Sequence, residues 1–145
     1  MIPKIDIQKY VEFVGDTTSI TSSNPEEFIN RVTELERKLP SDNVNAVGVD
    51  LNRLLTAAIG ITAEGGEFAE IVKKISFQGK PYNEQSRIHM IKELGDVMWY
   101  VAQGCIALGT DLNEVLYTNV EKLTARYPEG AFRVYHSENR KEGDL

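Results

Sequence analysis

Ala63-Glu64-Gly65-Gly66-Glu67-Phe68-Ala69-Glu70 and, after a turn, Lys92-Glu93-Leu94-Gly95-Asp96-Val97-Met98-Trp99-Tyr100 decide how this chain folds. Each stretch sets two acids three residues apart inside an apolar run. On an α-helix such residues share a face, so each pair projects two carboxylates toward whatever the helix packs against. Helices joined by a short turn run antiparallel, which allows both pairs to occupy one level of a bundle. Four carboxylates at close quarters repel and raise one another's pKa, so the arrangement calls for a cation. Mg²⁺ or Mn²⁺ is the natural candidate, because hard ions take carboxylate and water oxygens and leave positions for phosphates.

Working outward, Leu51, Leu54, Leu55, Ala58, Ile59 and Thr62 supply the apolar stripe of a long helix expected from about Asn45 to Ser76. Gly60, Gly65 and Gly66 oppose it, each costing about 1 kcal/mol relative to Ala in a helix interior. Close approach of a neighbouring helix or ligand would offset that cost, and a bend near Gly65 is the alternative. Gln78 to Pro81 reads as a turn, and Asn83 caps a helix carrying Ile88, Ile91, Leu94, Met98, Trp99, Ala102 and Ile106 that closes at Gly109. Thr110 or Asp111 opens a last helix, which Pro128 and Gly130 terminate.

Upstream, Ile5 to Val14 reads as a short helix and Gly15 to Ser23 as a polar stretch that ends it. Asn24-Pro25-Glu26-Glu27 is a helix start, with an N-cap, proline at the first helical position and acids in the first turn. That helix should run to Leu39 and stop at Pro40, with Ser41 to Asn45 a loop. Phe132 to Tyr135 is at most a short extended piece, and the charged tail beyond Phe132 reads as loose. The fold class expected is all-α, an antiparallel helical bundle completed by oligomerisation, in a single domain spanning residues 1–145.

With 145 residues the chain suits one compact domain. The net charge of −6, without a basic run, argues against a nucleic-acid polymer as partner. Neither a signal peptide nor a membrane span is expected: the longest apolar stretch, Asp96 to Leu108, is interrupted by Gln103. The lone Cys105 reads as a small core residue in a reducing compartment, so the cytoplasm, or a host cytoplasm for a phage-encoded chain, is the expected location.

The last helix carries the opposite chemistry. Asn119, Lys122 and Arg126 share one face and suit an anion bridging to the metal, Lys as a point charge and Arg as a planar fork. Lys73 and Lys74 are similar candidates, weighed against pairing with Glu70, which could itself extend the acidic series. His89 lies four residues before Glu93 but reads as a satisfied or exposed histidine, since the Glu-x-x-His pattern of di-iron bundles is absent from both acidic motifs. No phosphate loop or nucleophile signature is present.

These motifs, with Asn119-Val120-Glu121-Lys122-Leu123-Thr124-Ala125-Arg126-Tyr127-Pro128, resemble the all-α nucleoside triphosphate pyrophosphohydrolases of the MazG type from about Leu51 to Phe132. Residues before about Asn45 lie outside the resemblance. It implies Mg²⁺, or Mn²⁺ as a substitute, on Glu64, Glu67, Glu93 and Asp96, which would also form the catalytic set. Asn119 and Lys122 would contact phosphate, with Arg126 a weaker carry-over and Lys74 a further candidate. The implied reaction cleaves (deoxy)nucleoside triphosphates, dGTP and dCTP among the candidates, between the α- and β-phosphates. Homodimers or dimers of dimers are implied as well. Gly65-Gly66 departs from the family pattern, where the first position is usually bulkier. The competing readings are a sibling activity on the same scaffold, such as a dUTPase, dCTPase or phosphoribosyl-ATP hydrolase, and a non-enzymatic metal-binding helical protein.

Overall fold

Seven helices, and no strand, make up the described residues of this computed structural model, which are 4–37 and 50–139. Chain contacts divide it into Met1–Leu51 and Asn52–Leu145.

In the first unit, Asp6 caps α1 (Ile7–Thr17) by accepting from the Gln8 and Lys9 amides at 3.1 and 3.3 Å. The short α2 (Ile20–Ser23) replaces the end of the expected polar stretch. Ser and Thr hydroxyls bond back to carbonyls around it, Thr18 to Val14 and Ser23 to Ser19, which winds a polar segment into a turn of helix. Asn24 then caps α3 (Pro25–Arg37) as its sequence implies, its side-chain oxygen accepting from Glu26 and Glu27 at 2.9 and 3.3 Å. The expected stop at Pro40 and the loop at 41–45 lie outside the described residues.

The second unit holds α4 (Leu51–Phe77), α5 (Glu84–Leu108), α6 (Leu112–Arg126) and α7 (Val134–Glu138). The expected start of α4 near Asn45 also falls outside the described residues; from Leu51 the helix runs unbroken through Gly65 and Gly66. A reciprocal capping box starts α5: Asn83 accepts from the Ser86 amide at 3.0 Å, and Ser86 Oγ accepts from the Asn83 amide at 2.9 Å. Gly109, at φ 65°, closes α5 in the left-handed conformation that glycine adopts without penalty. Asp111 caps α6 through the Glu114 amide at 2.8 Å. The tail is a correction: residues 134–138 form one helical turn after the Glu129–Arg133 ion pair, where an extended piece was expected.

Contacts between α4 and α5 climb one helix as they descend the other. Arg53 donates to Gln103, Ala57 faces Gly104, Gly60 faces Tyr100, and Glu64 and Glu67 meet Glu93. The chain therefore reverses between these two helices. Gly60 is where the close approach occurs, because a Cβ there would overlap the Tyr100 ring. Gly65 and Gly66 face open space and have no such reason to be glycine. Among the described residues the buried apolar ones are Ala57, Ile71, Cys105 and Ala107, all small save Ile71. Larger side chains of α5, including Ile91, Leu94, Met98 and Trp99, stay about half exposed.

Candidate metal centre

The antiparallel register of α4 and α5 decides which acids meet. Glu64 and Glu67, one turn apart on α4, come to the level of Glu93 on α5, and one carboxylate oxygen from each lies within 4.8 Å of the other two. Glu93 is buried, Glu64 half-buried and Glu67 exposed, so the cluster grades from the helix interface to solvent. Asp96 is exposed, one turn further along α5, and is not in this close set. Its charge nonetheless acts on Glu64, whose pKa is raised from 4.5 by partial loss of solvent, then by Glu67, Asp96 and Glu93 in that order. Three of the four acids named from the sequence thus come into mutual reach, and Asp96 lies outside that set while its charge raises the Glu64 pKa.

Three carboxylates converging from two helices are an oxygen-only donor set, which fits Mg²⁺ or Mn²⁺ and not a soft, thiolate-seeking ion. Glu67, facing solvent, leaves an open side from which a phosphate chain can approach.

The phosphate candidates divide. Lys74 is engaged along its own helix, its Nζ 3.2 Å from Glu70 Oε1, and this pair lowers the Glu70 pKa. That gives Glu70 a partner within α4, as the pairing alternative anticipated. Asn119, Lys122 and Arg126 sit along α6, which packs on α5; Asn119 is exposed and the two cations are half-buried.

One neighbour carries more weight than the sequence suggests. His89 Nε2 lies 2.9 Å from Glu93 Oε1, joining a half-exposed imidazole to the buried carboxylate. The i, i+4 spacing is visible in the sequence, but the burial of Glu93 is not. His89 also walls two neighbouring cavities. One, of about 210 Å³, is completed by Lys80, Pro81, Asn83, Gln85 and Ser86, and the other, of about 440 Å³, by Gln85, Ile88 and Lys92.

The model of the MazG nucleotide pyrophosphohydrolase domain matches residues 53–131, more than half of the chain and the whole of the site just described. The chain belongs to the MazG nucleotide pyrophosphohydrolase family. MazG membership supports nucleotide pyrophosphohydrolase activity in general terms, and proteins of this family are generally divalent-metal dependent. The Gene 37 protein of Mycobacterium phage L5 is a relative, 38% identical over 76 residues, which are 52% of this chain and 67% of the phage protein. No solved structure matches. No helix among the described residues is long and apolar enough to cross a membrane.

Proposed function

We propose that this MazG-family chain is a Mg²⁺-dependent pyrophosphohydrolase that cleaves (deoxy)nucleoside triphosphates between the α- and β-phosphates, releasing nucleoside monophosphate and pyrophosphate. The observation that carries this reading is the meeting of Glu64, Glu67 and Glu93 within 4.8 Å, inside the family-matched segment. In the proposed site these three and Asp96 hold the cation. A bound divalent ion would supply phosphate-charge neutralisation and a water of lowered pKa. One carboxylate of the cluster orients and deprotonates the attacking water. Its oxygen then bonds to the α-phosphorus in line with the departing bridge oxygen, and the α–β anhydride bond breaks. Asn119 and Lys122, with Arg126 and Lys74 in outer roles, bind the phosphates and stabilise charge on the leaving pyrophosphate.

We further propose a homodimer or a dimer of dimers. Support comes from the apolar side chains left half exposed on α5, because a chain of this length ordinarily buries a larger core. The proposed compartment is the cytoplasm, and neither a nucleic-acid polymer nor a membrane is a proposed partner.

The test is a panel of ribo- and deoxynucleoside triphosphates, dGTP and dCTP included, incubated with Mg²⁺ or Mn²⁺ and followed by ³¹P NMR. Monophosphate and pyrophosphate in equal amounts are expected from at least one nucleotide. Orthophosphate with diphosphate left behind would overturn the cleavage position. Absence of turnover across the panel would favour a metal-binding interaction protein.

A further inference from the structure

We propose that the two adjoining cavities beside the α4–α5 turn seat the phosphates that leave as pyrophosphate, with Lys80 and Lys92 as the cations that hold them. The proposal rests on the reading of the carboxylate cluster as a nucleoside triphosphate hydrolase site. Its own ground is a pair of lysines outside the acidic motifs and outside α6, both facing cavities that border the cluster.

The chain between α4 and α5 holds Lys80 in place. Gly79, at φ 71°, turns the backbone in the left-handed conformation, and the Lys80 amide then bonds back to the Lys74 carbonyl at 3.1 Å. On the other side, the Pro81 carbonyl accepts from the Ser86 hydroxyl at 3.3 Å, and Ser86 is buried. Lys80 is half-buried between these two anchors, so its backbone is fixed and its ammonium ranges over a limited space. Lys92 directly precedes Glu93 on α5 and stands one turn before Asp96. One lysine therefore lies at the turn and the other at the level of the carboxylates.

Lys80 lines the cavity of about 210 Å³ and Lys92 the one of about 440 Å³, and Gln85 and His89 belong to both walls. His89 sets these cavities against the metal centre, since its Nε2 is 2.9 Å from Glu93 Oε1. A phosphate chain whose α-phosphorus sits at the cluster passes one side chain to enter them. The lining groups suit an anion: two ammonium groups that act as point charges on phosphate oxygens, and the Gln85 amide as a neutral donor. Neighbouring cations are already engaged, Lys74 with Glu70 and Arg87 with Glu84. Among the described residues, Lys80 and Lys92 belong to no ion pair. In a chain of net charge −6, two such cations beside one opening reverse the local sign where the negative charge of the leaving pyrophosphate has to be met.

The measurement is isothermal titration calorimetry of the full chain with magnesium pyrophosphate and, separately, with the nucleoside monophosphate product. The proteins compared are wild type, Lys80→Ala, Lys92→Ala, the corresponding arginine variants, and Lys9→Ala on α1 as a control for loss of one exposed charge. Lys80→Ala and Lys92→Ala should each weaken pyrophosphate binding about tenfold, the worth of one hydrogen bond to a charged group, and leave monophosphate binding as in wild type. Lys80→Arg and Lys92→Arg keep the charge and should retain most of the affinity, which separates a lost contact from a disturbed fold. Lys9→Ala should change neither titration. If wild type hydrolyses a nucleoside triphosphate while either lysine-to-alanine variant binds pyrophosphate as wild type does, the seat is wrong and the hydrolase reading stands. Equal weakening of pyrophosphate and monophosphate, a like effect of Lys9→Ala, or arginine variants as weak as the alanine ones would also overturn it. If wild type hydrolyses no nucleoside triphosphate, the hydrolase reading and this proposal fall together.

Discussion

Replacing Gly60 with alanine should destabilise the protein, whereas the same change at Gly65 should stabilise it, although both glycines lie in the interior of α4. Exchanging glycine for alanine in a helix interior ordinarily gains about 1 kcal/mol. At Gly65 the added methyl meets open space, so that full gain is expected. At Gly60 the methyl would overlap the near side of the Tyr100 ring. The ring cannot swing aside freely, because it stands edge-on against Trp99 with centroids 4.9 Å apart at 87°. Inserting a methyl into such a contact costs about 1–3 kcal/mol. The net effect at Gly60 is therefore a loss of up to about 2 kcal/mol, and the two variants should differ by about 1–3 kcal/mol. Equilibrium urea denaturation at one fixed protein concentration reads this difference, since self-association would otherwise shift the midpoint. Gly60→Ala as stable as Gly65→Ala would refute the close approach of α4 and α5 at this level.

Further consequences follow from the caps and the carboxylates. Asn83→Ala removes the side-chain acceptor of the α5 capping box and should cost about 1 kcal/mol, measurable by the same denaturation. Glu67→Gln and Asp96→Asn should each abolish turnover with the circular dichroism spectrum of wild type, and full activity in either would contradict the proposed site. Because the Glu64 pKa is raised in the fold, the folded state holds that proton more tightly than the unfolded chain. The metal-free protein should accordingly lose stability as pH rises from about 4.5 through the raised value. Mg²⁺ should reverse that trend, because it competes with the proton. A melting temperature that rises with pH equally with and without Mg²⁺ would count against this.

Cap chemistry made most of the helical outline legible in the sequence. Asn24, Asn83, Asp111 and Gly109 act on amides or carbonyls of their own helix ends, so a local motif suffices to place them. The one-turn helices at Ile20–Ser23 and Val134–Glu138 escaped because they lack an apolar stripe and depend on hydroxyl back-bonds or a neighbouring ion pair. The periodicity implied a close approach for Gly60 but could not name Tyr100, whose register depends on how α4 and α5 slide past each other. The same register separates Glu93, drawn into the buried level, from Asp96, left exposed one turn away, although both read alike in the sequence. It also sets His89 beside a buried acid rather than a solvated one, which the i, i+4 spacing alone does not reveal.

The proposed reaction is attack of water on the α-phosphorus at a Mg²⁺ site made by Glu64, Glu67, Glu93 and Asp96. Its most direct test is hydrolysis of the best nucleoside triphosphate in H₂¹⁸O with Mg²⁺, followed by mass spectrometry of both products. One ¹⁸O per turnover in the nucleoside monophosphate, none in the pyrophosphate, and no reaction by Glu67→Gln are the predicted results. Label in the pyrophosphate, or labelled monophosphate formed equally well by Glu67→Gln, would contradict the account.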